Sequence, residues 1–309
     1  MTKNVVCTVI GEAIVDIIMP VQSFSQFNAG LFGGILNTHY TTASGGTANV
    51  AAGLATLGGN SAFIGKVGAD CFGNFFRKDL EEARVLSNIS VSRTEKTGVA
   101  ITISSIRDKE RFFIVDRGAN AELLAGDVDY DLARKSDVIY FTALSLQDPN
   151  VSRVVLSFVE EAAAESKTIV FNPGAHNIAA SCRAVIIRAV KDYVDMIILN
   201  HAEGQNLSYS QEDEQIAEFL LSLGVNTVVL TKGEKGSIIS TASDTHFIEI
   251  DPIDAVDTTG AGDAYASGII YGITKAWDLE RAGRFASLVA RAVVSKHGSR
   301  FSPCDISLE

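Results

Sequence analysis

The sequence predicts an α/β fold, a three-layer sandwich with a mostly parallel central sheet and a small β-sheet lid. Three observations predict it. From about residue 127 onward, short apolar β-branched runs alternate with segments of helical period, the rhythm of a parallel sheet covered on both faces. The chain opens on a further run of this kind, Val5–Ile10, which ends at Gly11 and has no polar face, as a doubly covered strand requires. Finally, the stretches at about 14–44 and 97–118 interrupt the rhythm with more polar β runs, which suits a lid over one edge of the main sheet. A chain of 309 residues fits a single domain spanning 1–309 with that lid built in.

Each element has its own signal. Asp16 lies within Ile14-Val15-Asp16-Ile17-Ile18. It is either an outward residue of a half-exposed strand or a ligand-facing acid at the carboxyl edge of the sheet, where open α/β folds bind ligands. Residues 21–44 are poorly periodic, with a short strand suggested at 38–42. Gly45-Gly46 then opens a nearly charge-free helix running to Gly58, and its small residues imply close packing. Asn49, in its first turn, is either a local cap or an amide that binds a ligand hydroxyl. Residues 62–65 read as a strand, 67–73 as a turn and 74–84 as a helix. The runs 99–106 and 111–115 flank a charged four-residue turn and read as a hairpin. Arg111, at the second strand's start, either approaches a ligand or is a solvated turn charge. Strands at 137–141, 168–171, 196–199 and 227–230 follow, with helices near 150–165, 181–191 and 212–223. Two β runs, 237–241 and 246–250, precede a glycine-rich motif, and a last helix spans about 279–296.

Composition excludes several classes. A net charge of −11 and an isoelectric point near 5.0 argue against nucleic-acid or acidic-membrane partners, which want a basic face. Cys7, Cys71, Cys182 and Cys304 are far apart with no C-x-x-C, so neither a disulfide framework nor a zinc knuckle is indicated. No apolar run approaches the ~18 residues of a membrane span, and Val5–Ile10 is too short for a signal core. A cytoplasmic location is expected. The Walker A loop, the dinucleotide fingerprint, H-E-x-x-H and G-x-S-x-G are all missing, which leaves zinc enzymes, serine hydrolases and dinucleotide oxidoreductases without their signatures.

The strongest motif is Asp257-Thr258-Thr259-Gly260-Ala261-Gly262-Asp263, immediately before a helical pattern. The first N–H groups of a helix have no partner within it and carry partial positive charge. Small residues let an anion reach them. Asp263 sets a carboxylate beside that anion site, and an anion cradle next to a base suits phosphoryl transfer to a hydroxyl. Two further features sit at strand ends. Asn200-x-x-Glu203 is either helix-start chemistry or a carboxylate that holds a hydrated Mg²⁺. Thr231-x-Gly233-x-x-Gly236 suits a phosphate- or ribose-facing turn as well as any tight β–β turn. All three lie at carboxyl ends of parallel strands, hence on one edge.

Together, Gly11 with Asp16, Gly45-Gly46-x-x-Asn49, Val67-Gly68-x-Asp70-x-x-Gly73, Asn200-x-x-Glu203, Thr231-x-Gly233-x-x-Gly236 and the 257–263 motif closely resemble the ribokinase-like family of carbohydrate kinases, the phosphofructokinase-B type, over essentially the whole chain. The resemblance implies ATP- and Mg²⁺-dependent phosphorylation of a hydroxymethyl group on a sugar or nucleoside. It implies Asp263 as the base, and the N–H groups of Gly260, Ala261 and Gly262 as the anion hole. Asp16, Gly45, Gly46 and Asn49 would bind substrate, with Arg111 as a further candidate. Asn200 and Glu203 would organise Mg²⁺ and phosphate, and Thr231, Gly233 and Gly236 the nucleotide. Many members bind a monovalent cation, and the matching positions are Asp257, Thr259, Val293, Lys296, Gly298 and Ser302, so K⁺ is expected. Lids in the family sometimes pair, which leaves a homodimer open.

The substrate signals diverge. Arg117-Gly118-Ala119-Asn120-Ala121 and Phe171-Asn172-Pro173-Gly174 look like ribokinases. The Asp-x-Asn-x-Arg run of fructokinases and ketodeoxygluconate kinases is absent, with Asn172, Gly174 and His176 in its place. The ribokinase pattern Gly-Gly-Lys-Gly-Ala-Asn is Gly45-Gly46-Thr47-Ala48-Asn49 here, without the lysine and one residue shorter. A small ribose- or ketose-like sugar is the first expectation and a nucleoside the second. A non-catalytic sugar- or nucleotide-binding regulator is a third, though a pure binder has no need of Asp263.

Overall fold

A computed structural model of the chain describes residues 5–24, 39–105, 107–108, 111–251 and 253–306. In chain order the strands and helices are β1 (Val5–Ile10), β2 (Ala13–Val21), β3 (Thr41–Gly46), α1 (Ala48–Thr56), β4 (Ser61–Gly68), α2 (Cys71–Glu82), β5 (Leu86–Ser92), β6 (Gly98–Ser105), β7 (Arg111–Asp116), α3 (Asp131–Lys135), β8 (Ser136–Thr142), α4 (Pro149–Ala164), β9 (Thr168–Asn172), α5 (His176–Ser181), α6 (Arg183–Tyr193), β10 (Met196–Asn200), α7 (His201–Ser208), α8 (Asp213–Ser222), β11 (Thr227–Thr231), β12 (Ser237–Ser240), β13 (Thr245–Ile248), α9 (Ala261–Thr274) and α10 (Leu279–Val294). Nine strands form one sheet in the order β13-β12-β11-β10-β9-β8-β1-β4-β5, and four form a second in the order β3-β2-β6-β7. Only β12 is reversed in the large sheet, antiparallel to both β11 and β13.

The strand sequences explain the three layers. Successive strand residues point to opposite faces, and here both faces are dry. On β8, Ile139 and Phe141 enter one core with Val155 and Phe158 of α4 and Ile216 of α8. Val138 and Tyr140 enter the other with Leu54 of α1, Phe76 of α2 and Ile269 of α9. The same split recurs on β10, with Ile197 and Leu199 on the first face and Met196 and Ile198 on the second.

The structure moves several expected boundaries. Gly45 and Gly46 do not open a helix. They end β3, opposite Ile14 and Ala13 of β2, and α1 begins at Ala48. Helix α2 starts three residues before the expected 74 because Asp70 caps it, accepting from Gly73 N at 2.8 Å. Strand β5 was not expected. It is an edge strand with mostly exposed or half-exposed residues, so it lacks the apolar signature. The hairpin at 99–106 and 111–115 is present as β6 and β7. The small sheet contains 13–21, 41–46, 98–105 and 111–116 among the described residues; residues 25–38 of the expected lid lie outside them.

The Gly118–Ala121 run has a structural task. Asn120 Oδ1 accepts from Ala13 N at 2.7 Å, and its Nδ2 donates to Ala13 O at 3.0 Å. Next to it, Arg117 Nη2 donates to the buried Glu12 carboxylate at 2.7 Å. Both contacts pin the two-residue crossing from β1 to β2.

Phe158 is fully buried and its ring centroid lies 5.9 Å from that of Tyr130. Truncating such a ring loses its transfer free energy and leaves a cavity. Phe158→Ala is expected to lower unfolding stability by about 3–5 kcal/mol, read from the denaturant midpoint by circular dichroism.

Candidate active site

Parallel strands all present their carboxyl ends to one edge, and the motif residues meet there. Asp16 projects from the middle of β2, opposite Ala43 of β3 and Ala100 of β6. A Cβ at Gly45 would fall 2.0 Å from the Asp16 carboxyl group. Glycine at 45 is what gives this carboxylate its space on the strand face. At Gly46, φ is +59° and a Cβ would meet Glu12 O at 2.7 Å, so this position also demands glycine.

Asn49 does not cap its helix. Its Nδ2 donates to Asp263 Oδ2 at 3.1 Å, and its Oδ1 accepts from Ser299 Oγ at 3.1 Å. It also hydrogen bonds Asp16. The amide thus joins an acid from the small sheet to an acid at the start of α9. Burial, then the nearby Asp263 charge, raise the Asp16 pKa to about 7, against the pull of Arg300 and Asn49.

Helix α9 begins with Gly260 in the left-handed region at φ +79°. A side chain at Gly260 would strike Ser299 Cβ at 2.6 Å, whereas one at Gly262 would meet nothing within 4 Å. The first turn is therefore closely backed on one side and open on the other. The Ala261 N–H is directed at Thr258 O at 3.3 Å, a long contact for an amide donor.

Asn200 and Glu203 form a reciprocal capping box. Asn200 Oδ1 accepts from Glu203 N and Glu203 Oε2 accepts from Asn200 N, both at 2.9 Å. Helix-start chemistry is therefore real here, but Glu203 is also 4% exposed, and burial raises its pKa to about 7, with the Asp263 charge adding to the rise. Thr231 stands beside Asn200 in the β10–β11 register. Gly236 is required by the turn itself, since a Cβ would lie 1.9 Å from Ile248 O, while Gly233 has open space around it. Gly233, Thr231, Ile253, Gly262, Tyr265 and Val294 line a mainly apolar cleft of about 230 Å³ between the β11–β12 turn and the α9–α10 pair.

The residues expected around a monovalent cation gather behind the cradle. Asp257 is buried, and its carboxylate accepts from Thr259 N at 2.9 Å and from Gly298 N at 3.1 Å. Thr259 Oγ1 is buried with no hydrogen-bond partner, an orphaned oxygen that suits a hard cation. The Val293 carbonyl accepts from Lys296 N at 3.3 Å, and the Lys296 ammonium pairs with Asp305 at 2.5 Å, which also accepts from Ser302 N at 2.6 Å. Arg111 begins β7, its backbone opposite Ser104; its side chain lies outside the described part of the structure.

The family model described as pfkB family carbohydrate kinase matches residues 3–305. The chain belongs to the pfkB family of carbohydrate kinases. It is 27% identical to a ribokinase of Staphylococcus aureus over 311 residues, covering 98% of this chain and 97% of that one. It is 29% identical to a 5-dehydro-2-deoxygluconokinase of Geobacillus kaustophilus over 271 residues, 82% of this chain and 79% of that one. Among solved structures, an adenosine kinase of Sinorhizobium meliloti superposes with a TM-score of 0.88 at 27% identity, covering 96% of each chain. The pfkB chain is a phosphotransferase of the sugar and nucleoside kinase type. Among the described residues, no helix is long and apolar enough to cross a membrane.

Three residues without a motif also touch this site. Ser299 holds Asn49. Arg300 Nη2 donates to Ser44 O at 2.5 Å, to the Ser44 hydroxyl, and to Asp79 Oδ2 at 3.2 Å. Tyr140, buried on β8 with an unpartnered hydroxyl, has its pKa raised by burial and by the charges of Asp263 and Glu203. Ser299 and Arg300 follow the last helix in a short irregular segment, where no periodicity marks them. Tyr140 reads from sequence as one more core aromatic.

Raised carboxyl pKa values give a signed prediction. Between the ordinary carboxylate range of about 4 and the folded values near 7, the folded state holds protons that the unfolded chain has released. Stability contributed by Asp16 and Glu203 is therefore present below about pH 4 and lost as pH rises through 7. Thermal melting from acid to neutral pH should show wild type losing stability relative to Asp16→Asn and to Glu203→Gln as pH rises. A constant difference across that window would contradict the raised values.

Proposed function

We propose that this kinase transfers the γ-phosphoryl group of ATP to a hydroxymethyl group of a small ribose- or ketose-like sugar, with Asp263 as general base. The observation that carries the proposal is the Asn49–Asp263 hydrogen bond. It joins the small-sheet side, where Asp16, Gly45 and Gly46 would hold sugar hydroxyls, to the start of α9, where Gly260, Ala261 and Gly262 would receive the phosphoryl oxygens. Asp263 takes the hydroxyl proton as that oxygen bonds to the γ-phosphorus. The bond from phosphorus to the β–γ bridging oxygen breaks, and ADP leaves with the electron pair. The cleft beside Gly233 and Tyr265 is apolar enough for a purine, and the phosphates would lie toward Thr231 and Gly236 on its lining and Asn200 beside Thr231. Mg²⁺, held through water by Glu203, would neutralise phosphate charge when bound. K⁺ would sit among Asp257, Thr259, Val293, Lys296, Gly298 and Ser302, where the orphaned Thr259 hydroxyl supports it.

A nucleoside acceptor is the second reading, favoured by the likeness to the adenosine kinase structure. An ADP-release screen over ribose, fructose, other ketoses and nucleosides, with K⁺ and with Na⁺, separates the two. With the best acceptor, Asp263→Asn should keep the fold and ATP binding while lowering kcat about 10²- to 10⁴-fold, and turnover should be faster in K⁺. Full activity in Asp263→Asn would sink the mechanism.

The domain is read as one unit with the four-stranded sheet as its lid, and the lid as a pairing surface. Strand β7 is the outer strand of that sheet, and Phe112, Phe113 and Ile114 on it are 56%, 51% and 58% exposed. Unpaired strand edges bearing apolar residues attract partners. Light scattering should give a dimer that Phe113→Asp returns to monomer; a monomeric wild type would refute the pairing.

A further inference from the structure

Ser299 lies in the segment after α10 and is 5% exposed. It meets two parts of the site at once. Its hydroxyl donates to Asn49 Oδ1 at 3.1 Å, and Asn49 Nδ2 donates onward to Asp263 Oδ2 at 3.1 Å. It also backs Gly260, where any side chain would fall 2.6 Å from Ser299 Cβ.

The chemistry of an amide makes this contact directional. Asn has two N–H donors and one carbonyl, and an ionised carboxylate only accepts. Asn49 hydrogen bonds both Asp263 and Asp16, so its amino end faces the acids. Its carbonyl then needs a donor in a site where Asn49 is 6% exposed, and Ser299 is that donor. Both chain neighbours fix where the hydroxyl can be. Gly298 N donates to Asp257 Oδ2 at 3.1 Å, and Arg300 is tied to Ser44 and Asp79.

We propose that Ser299 is a positioning residue for phosphoryl transfer, its hydroxyl holding the Asn49 carbonyl so that the amide presents its N–H groups to Asp263 and Asp16 and thereby aims the base. The proposal rests on Asp263 being that base. Without the hydroxyl, the buried Asn49 carbonyl must turn to find another donor, and the Asp263 carboxylate loses its Asn49 contact. The sugar contacts proposed for Asp16, Gly45 and Gly46 do not run through the Ser299 hydroxyl, so the main loss falls on kcat.

The test is a double-mutant cycle on the acceptor found in the ADP-release screen. Ser299→Ala should lower kcat on the order of tenfold with KM nearly unchanged. In an Asn49→Ala background, the same substitution should cost nothing further, because the hydroxyl's route to the base through Asn49 has gone, while the Cβ that backs Gly260 is kept in alanine. If Ser299→Ala fails to fold by circular dichroism, Ser299→Cys carries the same cycle, since a thiol keeps the volume and weakens the donor. Losses that add across the cycle, or a change in KM alone, would overturn the role of Ser299 while leaving the kinase reading intact. A wild type that turns over no sugar or nucleoside overturns that reading, and the positioning role with it.

Discussion

Like charges crowd this site, and its architecture answers that crowding. Asp16, Glu203 and Asp263 come from three distant parts of the chain, and the charge of Asp263 acts on both of the others. Carboxylates in a half-dry cleft repel and resist ionisation. What offsets this is a set of fixed donors: the Asn49 amide between two acids, the Asn200 N–H on Glu203, and the Arg300 guanidinium near Asp16 and Asp263. Arg300 is itself compensated by Asp79, so the cation is held in place. In the proposed reaction, the incoming ATP would bring more negative charge, which is why cations and the bare N–H groups of α9 belong to the same design.

Much of the architecture is legible in the sequence, for a physical reason. Strands such as Val138–Phe141 are covered on both faces and so consist of unbroken apolar runs, while the helices between them need only one apolar stripe. The hairpin of β6 and β7 also shows, because a charged turn separates two alternating runs. What does not show is edge and local structure. β5 packs few residues into either core, and the β3 boundary depends on Gly45 and Gly46 pairing with β2, a long-range contact that local pattern cannot reveal.

The candidate site divides in the same way. The glycine-rich start of α9 advertises itself, because exposing bare backbone requires consecutive small residues. Asn49 is ambiguous in sequence, since caps and ligand amides use the same side chain, and the partner that resolves it lies 214 residues away. Asn200 and Glu203 are both a capping box and an acidic element of the site, so the two readings of that motif are compatible. Ser299 and Arg300 act through one hydroxyl and one guanidinium in an irregular segment, and such roles leave no pattern.

Only Gly11 and Glu12 separate β1, an inner strand of the large sheet, from β2, an inner strand of the small one. Asn120 grips Ala13 at this crossing and Arg117 grips Glu12, so the far end of the small sheet returns to the same point. The small sheet is also anchored away from this crossing: Ser44 of β3 accepts from Arg300 and its N–H donates to Asp79, and Thr97, just before β6, donates to Asp70. Asp16, four residues beyond Glu12, lies on an inner strand between these anchors, while β7 is the outer strand of the sheet. Such anchoring holds the acid beside Asn49 before any ligand arrives.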